Sequence, residues 1–168
     1  MDPEDADQAP EARPPLLEDL VSLCRNLSRE GARYVVIGGM AVIQAGFGRT
    51  TNDIDLLIDT SPENQDRVRR ALMALPDEAV REMAADDLER YAVVRVADEI
   101  VVDLMRNACG IGYDDASRMV DEVEIDGVRI PFANARLLWL TKDTLRDRDR
   151  ADRAFLARLL ASRGETVE

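Results

Sequence analysis

Residues 35–58 read VVIGGMAVIQAGFGRTTNDIDLLI. An apolar run at 35–37 ends in Gly38-Gly39, and Asp53-Ile54-Asp55 opens a second apolar run, Leu56-Leu57-Ile58. The β-branched residues of both runs predict buried strands, 34–37 and 53–59, joined by a short helix or turn over 40–45 and a loop over 47–52. Alternation along the second strand places Asp53, Asp55 and Leu57 on one face and Ile54, Leu56 and Ile58 on the other. Side chains two residues apart on a strand are roughly 7 Å apart at their base, so the two carboxylates can converge on one cation. Two anionic groups of this kind suit Mg²⁺, which takes one or two protein carboxylates and leaves its other positions to water and phosphate. The paired glycines let backbone N–H groups approach phosphate oxygens with no Cβ in the way. A helix starting near Met40 would add its positive end to the same spot. Without these surroundings, an Asp-x-Asp pair reads more readily as an acidic strand end facing water.

A third carboxylate, Asp103, lies in the apolar run Val101-Val102-Asp103-Leu104-Met105. Burying an unpaired carboxylate is costly, so Asp103 requires a metal, a cation or a hydrogen-bond donor. If its strand neighbours that of Asp55, the three carboxylates can hold two metal ions, the arrangement used for in-line phosphoryl displacement. An arginine partner for a purely structural Asp103 is the alternative.

The rest of the chain supports a single globular unit. With 168 residues, 46% of them hydrophobic and 33% charged, it has the material for one core. There is no histidine, which excludes imidazole zinc sites and both Ser-His-Asp and Cys-His catalysis. The net charge of −12 argues against a broad, sequence-blind grip on nucleic acid. Cys24 and Cys109 are too few and too far apart for a disulfide framework, which fits a reducing cytoplasm. No leader segment is read at the acidic N-terminus, and no apolar run approaches the ~20 residues of a membrane span.

Residues 1–15 are acidic and proline-containing and read as a disordered tail; residues 16–163 read as the folded domain, with a helical C-terminal part over 134–163. Helices are expected over 16–29, stopped by Gly31, and from Pro62, capped by Ser61, to the stop at Pro76. Residues 79–88 are weakly patterned and read as a strand and a loop. Strands follow at 91–96 and 99–105, turned by Ala97-Asp98, then a glycine-containing loop at 107–113. A hairpin is expected at 123–132 about Asp126-Gly127. Short strands with flanking helices make this an α/β (α+β) sheet domain.

These parts resemble the nucleotidyltransferase superfamily, whose fold is shared with DNA polymerase beta. Its mark is a hydrophobic-Gly-[Gly/Ser] turn, a short helix, an Asp-hydrophobic-Asp strand and a later strand with one more Asp. Here these are Ile37-Gly38-Gly39, Asp53-Ile54-Asp55-Leu56 and Val102-Asp103-Leu104. Arg49, Thr51, Asp53 and Asp55, with Lys142 and the Arg146–Asp152 run, are similar to the subgroup of AbiEii-type abortive-infection toxins and related toxin–antitoxin proteins. The similarity spans about residues 34–160. Gly39 departs from the serine common in the wider superfamily.

The resemblance implies a small mixed sheet flanked by helices, two Mg²⁺ ions, an NTP substrate and a hydroxyl acceptor on RNA (tRNA) or protein, with an antitoxin as partner. It implies that Asp53 and Asp55 hold the nucleotide-bound metal and that Asp103 joins them on a second metal and helps deprotonate the acceptor. Gly38 and Gly39 would cradle phosphates, and Arg49, Thr51 and Lys142 would contact the triphosphate or pyrophosphate. Lys142 is the single lysine of the chain. Two other functions compete: a non-catalytic relative binding nucleotide or a partner protein, and a glycosyltransferase metal site, for which this chain is short. The Arg-rich run 146–153 is interleaved with Asp and reads as a salt-bridged surface, with an acceptor-RNA contact as the alternative.

Overall fold

The computed structural model describes residues 12–165 and 167. Most of the expected N-terminal tail, residues 1–11, lies outside the described residues. Arg13, from the same stretch, is held by Asp19 through two contacts of 2.7 Å and by Glu99 at 3.3 Å.

Helix α1 (Leu17–Arg29) buries Leu20, Val21, Leu23, Cys24 and Leu27, the stripe its spacing predicts. The Asp19 carboxylate accepts the Leu16 N–H at 2.7 Å and closes its first turn. Strand β1 (Tyr34–Ile37) is buried throughout. Helix α2 (Gly38–Gln44) follows with no intervening residue, so it starts two residues earlier than expected. Gly38, at φ +69°, makes that abrupt change of direction. Strand β2 (Asp53–Ile58) and helix α3 (Pro62–Leu72) come next; the Ser61 hydroxyl caps α3 by accepting the Asn64 N–H.

Residues 79–88 form no strand. They make a 3-10 turn (Ala79–Glu82) and lead into the short helix α4 (Asp87–Arg90). The turn is held from outside: the buried Asp98 carboxylate accepts the N–H groups of Asp77 and Ala79, each at 2.9 Å.

Strands β3 (Val93–Ala97) and β4 (Val101–Met105) form the expected hairpin. Residues 107–113, expected as a loop, contain a small ladder of β5 (Asn107–Ala108) with β6 (Ile111–Gly112), leading into helix α5 (Tyr113–Ala116). Strands β7 (Val120–Ile125) and β8 (Val128–Ala133) pair about Asp126 and Gly127, both with positive φ (51° and 78°), as a type I′ turn requires. The C-terminal part is helical as expected, as two helices, α6 (Ala135–Thr141) and α7 (Asp147–Ser162), broken at 142–146.

Six strands make one mixed sheet in the order β3-β4-β2-β1-β8-β7. Strand β2 is antiparallel to β1 and parallel to β4. Helix α1 packs on α3 and β8; α6 packs on α7 and α2. The core joins residues of these helices to Ile54, Leu56, Leu57, Val102, Leu104, Ile130 and Phe132 of the sheet. Among the described residues, no helix is long and apolar enough to cross a membrane.

Candidate active site

The sheet register aligns one row of residues across four strands. Ile37 of β1 faces Asp55 of β2, Asp55 faces Asp103 of β4, and Asp103 faces Arg95 of β3. Asp53 lies on the same face of β2, two residues before Asp55. The carboxylates of Asp53, Asp55 and Asp103 each offer an oxygen, and these oxygens lie within 4.8 Å of one another.

Three carboxylates this close resist full ionisation. Burial pushes the Asp55 carboxyl up to about 7; the charges of Asp53 and Asp103 add to this, and Lys142 and Arg146 oppose it. Asp53 is also raised, first by burial and then by Asp103, against the attraction of Arg95 and Arg148. Excess negative charge on an all-oxygen donor set is the environment a hard divalent cation stabilises. The residues present therefore fit the metal that the sequence suggested.

Gly38 and Gly39 lie directly against this cluster. A Cβ on Gly38 would run into the Asp55 carboxylate; a Cβ on Gly39 would come within 2.5 Å of the Thr51 hydroxyl oxygen and 3.1 Å of Arg49 Nη2. Both glycines are thus required by the site's own side chains, and the second is explained by more than a tight turn.

Thr51 is buried, and its hydroxyl donates to the Asp53 carbonyl at 3.2 Å, fixing the start of β2. Arg49 points to α7: its Nη2 donates to Asp152 Oδ2 at 2.8 Å, while Nε stands 2.8 Å from Oδ1 without an aligned hydrogen bond. Lys142 Nζ reaches the same helix, 3.2 Å from Asp149 Oδ1 and 3.0 Å from Asp152 Oδ2. Asp149 also accepts from the Thr144 hydroxyl and from Arg146 Nε. Burial raises the Asp149 carboxyl, but the Thr144 hydrogen bond and the charges of Lys142 and Arg146 outweigh it and hold the group below the usual carboxylate range. Asp149 and Asp152 are fully buried. That part of the run 146–153 is therefore an internal ion-pair cluster, not the salt-bridged surface expected, while Arg150 and Arg153 do form outer pairs with Asp147 and Asp143.

The structure thus gathers Asp53, Asp55, Asp103, Gly38, Gly39 and Thr51 in one place. It turns Arg49 and Lys142 to the adjoining carboxylates of α7. Arg95 was missed from sequence, and Asp149 and Asp152 were read only as part of the run 146–152, with no role of their own. Arg95 donates to Asp103 through Nε and Nη2, each at 3.0 Å; only the cross-strand register reveals it. Asp149 and Asp152 had a signal, the i,i+3 spacing that puts both on one helix face. An open cavity of about 510 Å³ lies beside Asp53, Arg95 and Arg148.

A protein-family profile described as "Nucleotidyl transferase of unknown function (DUF2204)" matches residues 16–153. No curated protein matches the chain. Among solved structures, a protein from Thermotoga maritima described as a candidate nucleotidyltransferase is similar, with a TM-score of 0.53 and 19% identity over 88% of this chain and 92% of that one. At that identity the likeness is one of fold.

Proposed function

Because the chain belongs to the family described as nucleotidyl transferase of unknown function, we propose that it is a Mg²⁺-dependent enzyme that moves NMP from an NTP to a hydroxyl of RNA, such as tRNA, or of a protein. One observation carries this reading: Asp55 and Asp103 are direct partners on adjacent strands, with Asp53 beside them and Gly38 against them. The domain that does this work runs over residues 16–163.

Asp53 and Asp55 would hold the cation bound to the triphosphate, and Asp103 would join them on a second. Bound there, the two ions supply charge neutralisation of the entering and leaving oxygens. The chain's own residues do the rest. Gly38 and Gly39 would present their amides to phosphate oxygens. Thr51 fixes the backbone that carries Asp53. Arg49 and Lys142 stand next to the carboxylate row, tied to Asp152, and a triphosphate would compete with Asp152 for them. Asp103 would help to take the acceptor proton.

The Arg-x-Thr-x-Asp-x-Asp run at 49–55 and the run at 146–152 support a role as the toxin of a toxin–antitoxin or abortive-infection pair. The engagement of Lys142 with Asp149 and Asp152 favours the second reading, a protein that binds nucleotide or a partner without turnover. One experiment separates them. Purified protein is incubated with each α-labelled NTP, Mg²⁺ and total tRNA, beside an Asp53→Asn/Asp55→Asn control. Label reaching RNA or a protein band, and lost in the control, supports the transferase. NTP binding with no transfer supports the second reading.

A further inference from the structure

We propose that Arg95 is the protein's own stand-in for a divalent cation at the Asp53–Asp103 edge of the site, and that it sets the affinity of that edge for metal. The inference rests on the metal-dependent reading above.

Asp103 is 5% exposed, and both its oxygens are taken by one guanidinium: Nε to Oδ1 and Nη2 to Oδ2, each at 3.0 Å. The same Nη2 stands 3.5 Å from Asp53 Oδ2. A single nitrogen of Arg95 thus bridges two of the three carboxylates that would hold the second cation. Strand pairing fixes it there, because Arg95 is the direct antiparallel partner of Asp103 on β4. Two-point contact of a guanidinium with a carboxylate is among the stronger charge-assisted pairings. It gives a buried carboxylate the partner that burial demands.

Arg95 is also built to leave. Its strand β3 is at the edge of the sheet, its side chain is 61% exposed, and the open cavity lies beside it. The guanidinium can turn into that cavity without opening the core. Lys142 differs, being 7% exposed and enclosed by Asp149 and Asp152. Arg148 acts on Asp53 through its charge, and no ion pair of its own is found among the described residues. The two cation positions are therefore unequal. A cation on Asp53 and Asp55 alone leaves Arg95 on Asp103, whereas one that also takes Asp103 must displace it.

The test is a Mn²⁺ titration of the metal-free full chain without nucleotide, followed by the electron paramagnetic resonance signal of free Mn²⁺. Wild type is expected to show one stronger and one weaker site. Arg95→Gln tightens the weaker site by about tenfold, the scale of one lost charge-assisted contact. Arg95→Lys keeps the charge but loses the fork, and falls between the two. Melting in EDTA is recorded for each protein. Arg95→Gln melts lower than wild type because Asp103 loses its partner, and Mn²⁺ narrows the gap. If Arg95→Gln does not fold, Arg95→Lys decides alone. A weaker site of unchanged affinity in the folded variants overturns the role of Arg95. Absence of Mn²⁺ binding in every protein, wild type included, overturns the metal-dependent reading itself.

Discussion

Arg49 and Asp152 face each other across the seam between the loop that precedes β2 and helix α7, with Nη2 and Nε each 2.8 Å from one carboxylate oxygen. Asp152 is fully buried and shares Oδ2 with Lys142 at 3.0 Å. One carboxylate therefore holds two cations from different elements. Replacing it takes away the carboxylate partner of Arg49 and leaves Lys142 with Asp149 alone.

Asp152→Ala is expected to destabilise the protein by about 3–5 kcal/mol, the cost of breaking a buried pair from one side. Urea unfolding at pH 7 measures it. A loss below about 1 kcal/mol would mean that water solvates Arg49 and Lys142 once Asp152 is gone.

Asp55 predicts an unusual pH profile. Its folded carboxyl is raised from 3.8 to about 7, so the folded state binds a proton the unfolded state has released. The sign follows: the contribution of Asp55 to stability is complete below about pH 4 and is lost as pH climbs to 7. In EDTA, Asp55→Asn should be more stable than wild type above pH 7 by roughly 2–4 kcal/mol, the two converging in acid. Mg²⁺ should stabilise wild type more than the variant. Melting temperatures against pH decide it; parallel curves would refute the crowded-carboxylate account.

Asp149 works in the opposite sense. Its hydrogen bonds and cationic neighbours hold it below the usual range, so it contributes stability above its ordinary pKa of 3.8, lost as pH falls toward and through the depressed value. Asp149→Asn is expected to cost about 3 kcal/mol at pH 7, as breaking a buried pair does, and progressively less in acid. Acid unfolding of the two proteins gives the difference directly.

Gly39→Ala should cost about 1–3 kcal/mol as an overpacked site, because the added Cβ meets Thr51. Gly38→Ala should cost more. It adds a left-handed backbone, worth roughly 1–2 kcal/mol for a residue with Cβ, to a collision with the Asp55 carboxylate. NTP affinity, measured by calorimetry, should fall in both. A Gly38→Ala protein with wild-type stability and affinity would show that the Asp55 side chain moves aside freely.

The strands around the site were readable because their signals are local. The apolar run before Gly38 and the alternation from Asp53 to Ile58 are written within a few residues. Where the sequence misled, the cause lies far along the chain. Residues 79–82 curl because Asp98, beyond them in sequence, takes the Asp77 and Ala79 amides. Arg95 belongs to the site because of a strand register that no spacing encodes. Asp149 and Asp152 carried a helical spacing, but their burial follows from α7 packing against α6, and an alternating Arg/Asp run reads as a solvated face.

The order of the strands also sets a timetable for a chain emerging from the ribosome. Strands β1 and β2 can pair early as a local antiparallel unit. The acidic row is completed only when β4 arrives and slots in parallel beside β2. The partner of Arg49 comes later still, 103 residues downstream. A nascent chain therefore owns its three clustered carboxylates before it owns the clasp that steadies the loop next to them.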